Sequence, residues 1–345
     1  MLLTDSDALF HISLARITFL KFEEKIFLSK NIDNSYNLSL LSIEEIEQLL
    51  HRSFKNPSVW NGKNNLREAE IALNHCKKLG IKILLHSDRD YPELLRQIDD
   101  PPYLLYCRGD QKLLSGRSVS VVGTRRLSPE GKKAARDFAY QAVVDGCNVV
   151  SGLASGADGY SHQGAVDAYF DYMEKGMDTL SLGKTIAVLP SGVDDIVPYT
   201  NKKLAAQILQ SGGLLVSEYE PSSDTEKWHF VQRNRIIAGL SPATVVVEAP
   251  AGSGSLITAD FALDMGRDVM FHRATFGELA KQIAQRLNSQ LEAEHAQGKI
   301  SKYKVENRPE KFIEAGAPVI SDYIDYKKCL AEAPGARLPL QGQLF

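Results

Sequence analysis

The stretch SVSVVGTRRLSPEG, Ser118 to Gly131, ends a β-branched run at Gly123 and sets Arg125 and Arg126 beside the turn. Ser128-Pro129 then reads as a helix start. A strand that stops at glycine and opens a helix can cradle a phosphate on backbone N–H groups. Two guanidinium groups beside that turn select for an anion: a nucleotide, a metabolite or a nucleic-acid backbone. A second stretch, Lys227-Trp-His-Phe230-Val-Gln-Arg233-Asn-Arg235, mixes three cations with two aromatics. Cations meet phosphates, and an aromatic face that stacks an unpaired base is worth roughly 1–3 kcal/mol per base. The same residues also suit a helix start whose Trp228 and Phe230 are core and whose arginines pair with acids. Composition leaves both readings open.

Other motifs resemble sites without completing them. Gly183-Lys184-Thr185 resembles a P-loop, but Asp178 stands where its first glycine belongs, and the motif precedes its strand. Gly252-Ser-Gly254-Ser-Leu-Ile resembles the dinucleotide fingerprint, but Ile257 replaces the third glycine. His162 could be a base or metal ligand, or a helix-start histidine that bonds the loop before it. Asp158 is read as holding that glycine-rich loop through backbone N–H groups. Asp194-Asp195 reads as a polar turn before Pro198 rather than a metal pair. Ser253 and Ser255 have no obvious base and suit hydrogen bonding to an anion better than nucleophilic attack. No catalytic constellation, metal or cofactor is expected.

These loops need a frame. Strand candidates are Ser118–Val122, Asn148–Ser151, Thr185–Leu189, Leu214–Ser217, Thr244–Glu248 and Asp268–Phe271, with helical segments between most of them. Runs such as IAVL and TVVV suit strands buried on both faces of a parallel sheet. Alternating βα units predict a doubly wound sheet with its ligand at the carboxyl ends of the strands. The loops there read GTRR, GLASGADG, PSGVDD, EYEPSSDTEKW and APAGSGS. Together they would form a broad rim of N–H groups and helix N-termini.

Residues 1–80 read as a small helical domain. Leu9, Ile12, Leu14, Ile17 and Leu20 recur at helical spacing, and Ser42-Ile-Glu-Glu45 is a capping box. Asn64 to Leu79 is a third helix, stopped by Gly80. NIDNSYN and KNPSVWNGKNN read as polar connectors. Residues 81–115 form a Pro-rich connector carrying the apolar runs IKILL and Tyr103 to Cys107, and 116–330 hold the α/β domain. Asp167–Gly183 and Thr275–Asn307 look inserted, the second as a charged, solvated helix. Residues 331–345 read as a Pro/Gly tail.

The 345 residues suffice for two domains with a sizeable core. Lys+Arg 40 against Asp+Glu 43 gives a net charge of −3, so any nucleic-acid site must be a local basic patch. The four cysteines, Cys76, Cys107, Cys147 and Cys329, form no CxxC pair and read as core residues of a reducing cytosol. The acidic N-terminus has no signal-peptide pattern, and no apolar run reaches the roughly 18 residues of a membrane span. A soluble, cytoplasmic protein is expected.

Seven stretches, in order, resemble the DprA/Smf family of bacterial DNA-processing proteins of natural transformation. They are YPELLRQIDDPPYLLYCRGD, SVVGTRRLSPEG, VVSGLASGADGYSHQGA, GKTIAVLPSGVDDIVP, GGLLVSEY, HFVQRNRIIAGLS and VVVEAPAGSGSLITADFALDMGRDV, between about residues 81 and 270. Residues 1–80 fit the family's SAM-like helical domain only loosely. The resemblance implies an extended Rossmann-like, mainly parallel sheet. It implies a non-enzymatic protein that binds and protects single-stranded DNA, forms homodimers and loads the recombinase RecA. The family's GTR arginine falls on Arg125, and the lysine and phenylalanine before its RNR motif fall on Lys227 and Phe230. Arg125 would pair with phosphate, Lys227 would flank it and Phe230 would stack a base. The rest of the rim joins them as candidate DNA contacts: Gly123, Thr124 and Arg126; Ser151, Gly152 and Gly156; Arg233, Asn234 and Arg235; Gly252, Ser253, Gly254 and Ser255.

Three features depart from that pattern. They are the insert before Thr185, the path after Val269 through FHRATFGELAKQ until FIEAGAPVISDYIDY, and the lack of room for a C-terminal winged helix after Leu330. The last residues, with Gln341, Leu344 and Phe345, resemble a sliding-clamp docking peptide, or are a terminus without a partner. The competing class is a Rossmann-like nucleotide-binding enzyme similar to cytokinin-activating phosphoribohydrolases, whose glycine loop Ala251–Leu256 loosely resembles. Leu256-Ile257-Thr258 stands where their catalytic glutamates belong. A nucleotide sensor or scaffold is the third possibility.

Overall fold

The computed structural model describes residues 4–55 and 60–332. Five helices come first: α1 (Asp5–Ala15), α2 (Phe22–Asn31), α3 (Ser35–Leu40), α4 (Ile43–Leu50) and α5 (Gly62–Leu79). Ser42 caps α4 and exchanges bonds with Glu45, as the capping-box reading expects, and Gly80 ends α5 in the left-handed region. The periodic stretch from Leu9 stops early as a helix, because Ile17 and Leu20 lie in the turn after α1, though both are buried. NIDNSYN is not wholly a connector: Asn34 accepts the Asn37 N–H at 2.9 Å and caps α3.

The connector region supplies β1 (Lys82–Leu85), α6 (Glu93–Arg96) and β2 (Leu104–Gly109). The α/β region continues with β3 (Ser118–Gly123), α7 (Pro129–Val144), β4 (Asn148–Ser151) and α8 (Ala157–Glu174). Next come β5 (Thr185–Val188), α9 (Lys202–Gln210), β6 (Leu214–Ser217), α10 (Lys227–Gln232), α11 (Asn234–Gly239) and β7 (Ala243–Val247). The described chain closes with α12 (Gly254–Asp264), β8 (Asp268–His272), α13 (Glu278–Ala296), α14 (Lys302–Glu306), α15 (Pro309–Glu314), β9 (Val319–Ile320) and α16 (Tyr323–Glu332).

All nine strands form one sheet, ordered β1-β2-β6-β5-β4-β3-β7-β8-β9. The pairs from β6 to β9 are parallel, whereas β1 and β2 add an antiparallel edge. The strands β3 to β7 are buried along nearly their whole length, as unbroken apolar runs between two helical layers should be. The chain lays β3 to β6 outward in one direction, then returns to place β7 on the other side of β3. That reversal is a topological switch point, where the loops after β3 and β7 diverge and leave a crevice.

The segments read as inserts resolve differently. The first eight residues of Asp167–Gly183 continue α8, and only the remainder is loop. Thr275–Asn307 forms α13 and α14, and its return passes over the loop after β7: the Gly252 N–H donates to Asn307 O at 2.8 Å. The helical N-terminus does not stand apart from the sheet. Leu14, Leu28 and Ile46 share one apolar cluster with Leu104, Ala187 and Leu215, and Arg16 pairs with Glu220 beyond β6.

Candidate nucleic-acid interface

Three loops and one helix pair converge at the switch point. The first loop leaves β3 through Gly123-Thr124. A side chain at Gly123 would overlap the Val247 carbonyl, so this strand end lies flush against β7. The Thr124 N–H donates to Glu248 O at 2.7 Å, and its carbonyl accepts the Ala157 N–H at 3.1 Å. Thr124 is thereby buried as the hinge of the turn, and Arg125 and Arg126 are exposed beyond it. Among the described residues, neither arginine has a carboxylate within ion-pair distance. The Arg125 guanidinium instead lies over the Phe230 ring, 5.7 Å from its centroid.

The second loop, Gly152 to Gly156, is held in shape by the first turns of α8. Asp158 Oδ2 accepts the Gly152 and Ala154 N–H groups at 3.1 and 3.4 Å, the loop-holding role read from the sequence. His162 Nε2 accepts the Leu153 N–H at 3.3 Å, which leaves its Nδ1–H to donate to Thr185 Oγ1 at 2.7 Å. Burial holds its pKa down to about 3, so His162 is a neutral structural ring. Gly156 has φ +85° and lies against Thr124 O and the Arg125 Cα, a backbone approach that only glycine permits. Ser151 is fully buried and donates to Val121 O at 2.6 Å, so it ties strands together and offers nothing to a ligand.

The third loop follows β7. Gly252 has φ +64° and meets the α14 backbone, while Gly254 opens α12 with free space around its Cα. Ser253 Oγ and Ser255 Oγ bond each other at 2.7 Å, and no side chain caps the α12 N-terminus. Its first N–H groups therefore point out at the rim. Asn234 Nδ2 donates to Gly254 O at 3.2 Å and anchors this loop to α11.

The cation-rich stretch divides between surface and interior. Lys227 and Phe230 are one helical turn apart on α10, with Lys227 exposed and Phe230 half-buried. Trp228 is 55% exposed, so it is not core. His229 is the buried anchor: it stacks on Tyr219 with centroids 3.9 Å apart, and its Nδ1 accepts the Glu226 N–H at 3.2 Å. Arg235 departs from the expected DNA contact. It is buried, with Nε on Asp100 at 3.0 Å and Nη2 on Glu218 at 2.8 Å, and these carboxylates commit its charge. Arg233 is also buried, lying where a Gly152 side chain would be, with its Nε unpartnered. Burial lowers its pKa to about 10 and raises that of Asp158, each opposed by the other's charge; nearby Arg125 lowers Arg233 further. An anion arriving above Arg233 would relieve that strain.

One residue of the site had no forecast role. Glu248, φ 53° and buried, accepts Ser128 N–H at 2.8 Å and the Ser128 hydroxyl, joining the end of β7 to the start of α7. The left-handed conformation for a non-glycine at a strand end marks a constrained turn. Sequence offers only a faint signal, a lone acid closing an apolar run opposite a Ser-Pro helix start. Among the described residues, no group of His, Cys, Asp or Glu is arranged to hold a metal, and Asp194 is bonded to Ser222 in a turn. No described helix is long and apolar enough to cross a membrane. Gln341, Leu344 and Phe345 lie outside the described residues.

A doubly wound sheet with a basic, glycine-rich rim at its switch point defines a Rossmann-like α/β protein. The chain belongs to the family described as DNA recombination-mediator protein A, whose model matches residues 82–305. It is 31% identical over 260 residues to Protein Smf of Borreliella burgdorferi, a match covering 75% of this chain and 77% of that protein. It is 40% identical over 194 residues to DNA processing protein DprA of Bacillus subtilis, covering 56% of this chain and 61% of that protein. The X-ray structure of DprA from Streptococcus pneumoniae superposes with a TM-score of 0.64 at 27% identity, over 95% of this chain and 98% of that one. DprA of Helicobacter pylori, known in a structure that describes its single-stranded DNA binding mode, shares the fold with a TM-score of 0.53 at 24% identity. That match covers 73% of this chain and 96% of the other.

Proposed function

We propose that the chain binds single-stranded DNA along this rim and acts as a recombination mediator without catalysing a reaction. In this reading it shields the strand and passes it to the recombinase RecA, working as a homodimer in the cytoplasm. The observation that carries the reading is the Arg125 guanidinium seated over the Phe230 ring, with Lys227 one turn away. Exposed cations beside an aromatic face are what an unpaired strand requires: charge for its phosphates and a surface for its bases. Membership of a recombination-mediator family supports the same ligand. The fold is also one on which a single-stranded DNA binding mode is described, that of the Helicobacter pylori protein. Backbone N–H groups of the second and third loops and the α12 N-terminus would serve further phosphates. Thr124, Asn234 and Asp158 shape the loops, and Arg233 adds positive potential from below.

The test is fluorescence anisotropy of a labelled mixed-sequence oligonucleotide with wild type, Arg125→Ala and Lys227→Ala, each checked for folding by circular dichroism. Tight binding by the wild type, weakened in both variants, is expected. No wild-type binding at low salt, or hydrolysis of a nucleotide, would shift the reading to a nucleotide-binding enzyme.

A further inference from the structure

Helix α10 carries two aromatic side chains besides its buried His229, and the rim uses only Phe230. The other, Trp228, is 55% exposed, and Val231, one turn along, is 44% exposed. At 3.6 residues per turn, Lys227 stands between Phe230 and Trp228 on the helix circumference, about 60° from the first and about 100° from the second. His229 faces the opposite way, into the protein. The crest of α10 is therefore a cation and Val231, with an aromatic ring on each shoulder. The indole is also held in place. It stands nearly perpendicular to His229, with centroids 4.2 Å apart, and to Tyr219 at 6.3 Å, and those two rings stack on each other. An aromatic side chain that is already fixed and still open to solvent loses little freedom when a flat partner lies on it.

We propose that Trp228 is a second base-stacking station, so that a bound strand crosses α10 with one base on Phe230, a phosphate over Lys227 and a following base on Trp228. The inference rests on the single-stranded DNA reading of the rim and extends the site beyond the glycine-rich loops. A helix with its side chains is about 10–12 Å across, a width that neighbouring nucleotides of an extended strand can bridge. The order aromatic, cation, aromatic around the helix matches the order base, phosphate, base along the strand. Indole receives any base by its face, so the station adds affinity without adding sequence preference. A protein partner would ask for a broader apolar patch than two exposed side chains bordered by Glu226, Lys227 and Gln232.

The experiment follows tryptophan emission and oligonucleotide anisotropy in parallel titrations with a mixed-sequence single strand. The chain has two tryptophans. Trp60 donates from Nε1 to Leu41 O at 2.7 Å, and its share of the signal is what remains in Trp228→Phe. In the wild type, emission should fall saturably with the midpoint of the anisotropy curve, and that fall should be absent from Trp228→Phe. Trp228→Ala, checked for folding by circular dichroism, should bind roughly 5- to 140-fold more weakly. Trp228→Phe should recover most of that loss, and the salt dependence should be that of the wild type in both variants because no cation is removed. Strand binding that leaves the Trp228 emission untouched, or wild-type affinity in Trp228→Ala, overturns the station and leaves the rim reading intact. An equal fall in emission on binding a duplex, whose bases are not free to stack, does the same. Failure of the wild type to bind any single strand overturns both.

Discussion

Replacing Phe230 by alanine separates stacking from charge. Phe230 is half-buried on a short helix whose core anchor is His229, so its loss should leave the fold intact. Two terms disappear in the complex: the stacked base, worth roughly 1–3 kcal/mol, and the support that the ring gives the Arg125 guanidinium, worth about 0.5–1 kcal/mol where exposed. The first term dominates. At about 1.4 kcal/mol per factor of ten, it corresponds to roughly 5- to 140-fold weaker binding. No charge is removed, so the slope of log K against log salt should stay as in the wild type. Arg125→Ala should weaken binding too, but it should also flatten that slope by about 0.7, the release of one phosphate contact on a single strand. Anisotropy titrations at four salt concentrations measure both quantities. Wild-type affinity in Phe230→Ala would refute stacking. A slope flattened as much as in Arg125→Ala would mean that the ring acts only by holding the arginine.

Two further outcomes concern the frame beneath the site. His162 is held neutral in the folded state with a pKa of about 3, whereas it takes up a proton near pH 6.5 when unfolded. The unfolded chain therefore binds the extra proton between those values, and the stability that His162 contributes is complete above pH 6.5 and is lost as pH falls towards 3. Between pH 6.5 and 5 this amounts to roughly 2 kcal/mol, and urea unfolding should show that much less pH dependence in His162→Gln than in the wild type. An unchanged slope would mean that the ring is charged in the folded protein. Arg235→Ala should destabilise by roughly 2–3 kcal/mol, less than a fully buried pair, because the Glu218 and Asp100 side chains are 23% and 63% exposed. Its urea midpoint should fall while affinity per folded molecule for single strands holds; a selective loss of binding would restore Arg235 to the rim.

The sheet was legible because its central strands are unbroken apolar runs, and a strand buried on both faces can be little else. Ser42 with Glu45, and Gly80, were legible because capping chemistry is local. What escaped was set by distant neighbours. Asn34 and Ser35 read as polar connector, yet Asn34 caps α3 and α3 buries Leu38. The two-residue β9 has no periodicity to find and exists because Phe271 and His272 offer it a ladder. In the candidate site, Arg125 stood out by type beside its glycine turn, whereas Lys227 and Phe230 were singled out only by the resemblance to the DprA/Smf family, and the division of labour among the arginines was not legible at all. Three cations in one stretch look alike until Gly152 makes room for Arg233, and Glu218 with Asp100 claims Arg235. Thr275–Asn307 read as a solvated surface helix because its residues are charged and Gln-rich. Its position over the loop after β7 depends on the Gly252 to Asn307 bond, which spacing alone does not reveal.

The most direct test of the rim as a single-strand site is competition. A labelled 20-nucleotide strand bound to the wild-type protein is displaced with the same strand unlabelled, and then with that strand annealed to its complement. A site that needs exposed bases for Phe230 as well as phosphates for Arg125 and Lys227 should require at least about tenfold more duplex than single strand, the worth of one stacked base. Equal displacement by the two competitors would contradict it and leave only a basic surface that attracts any polyanion.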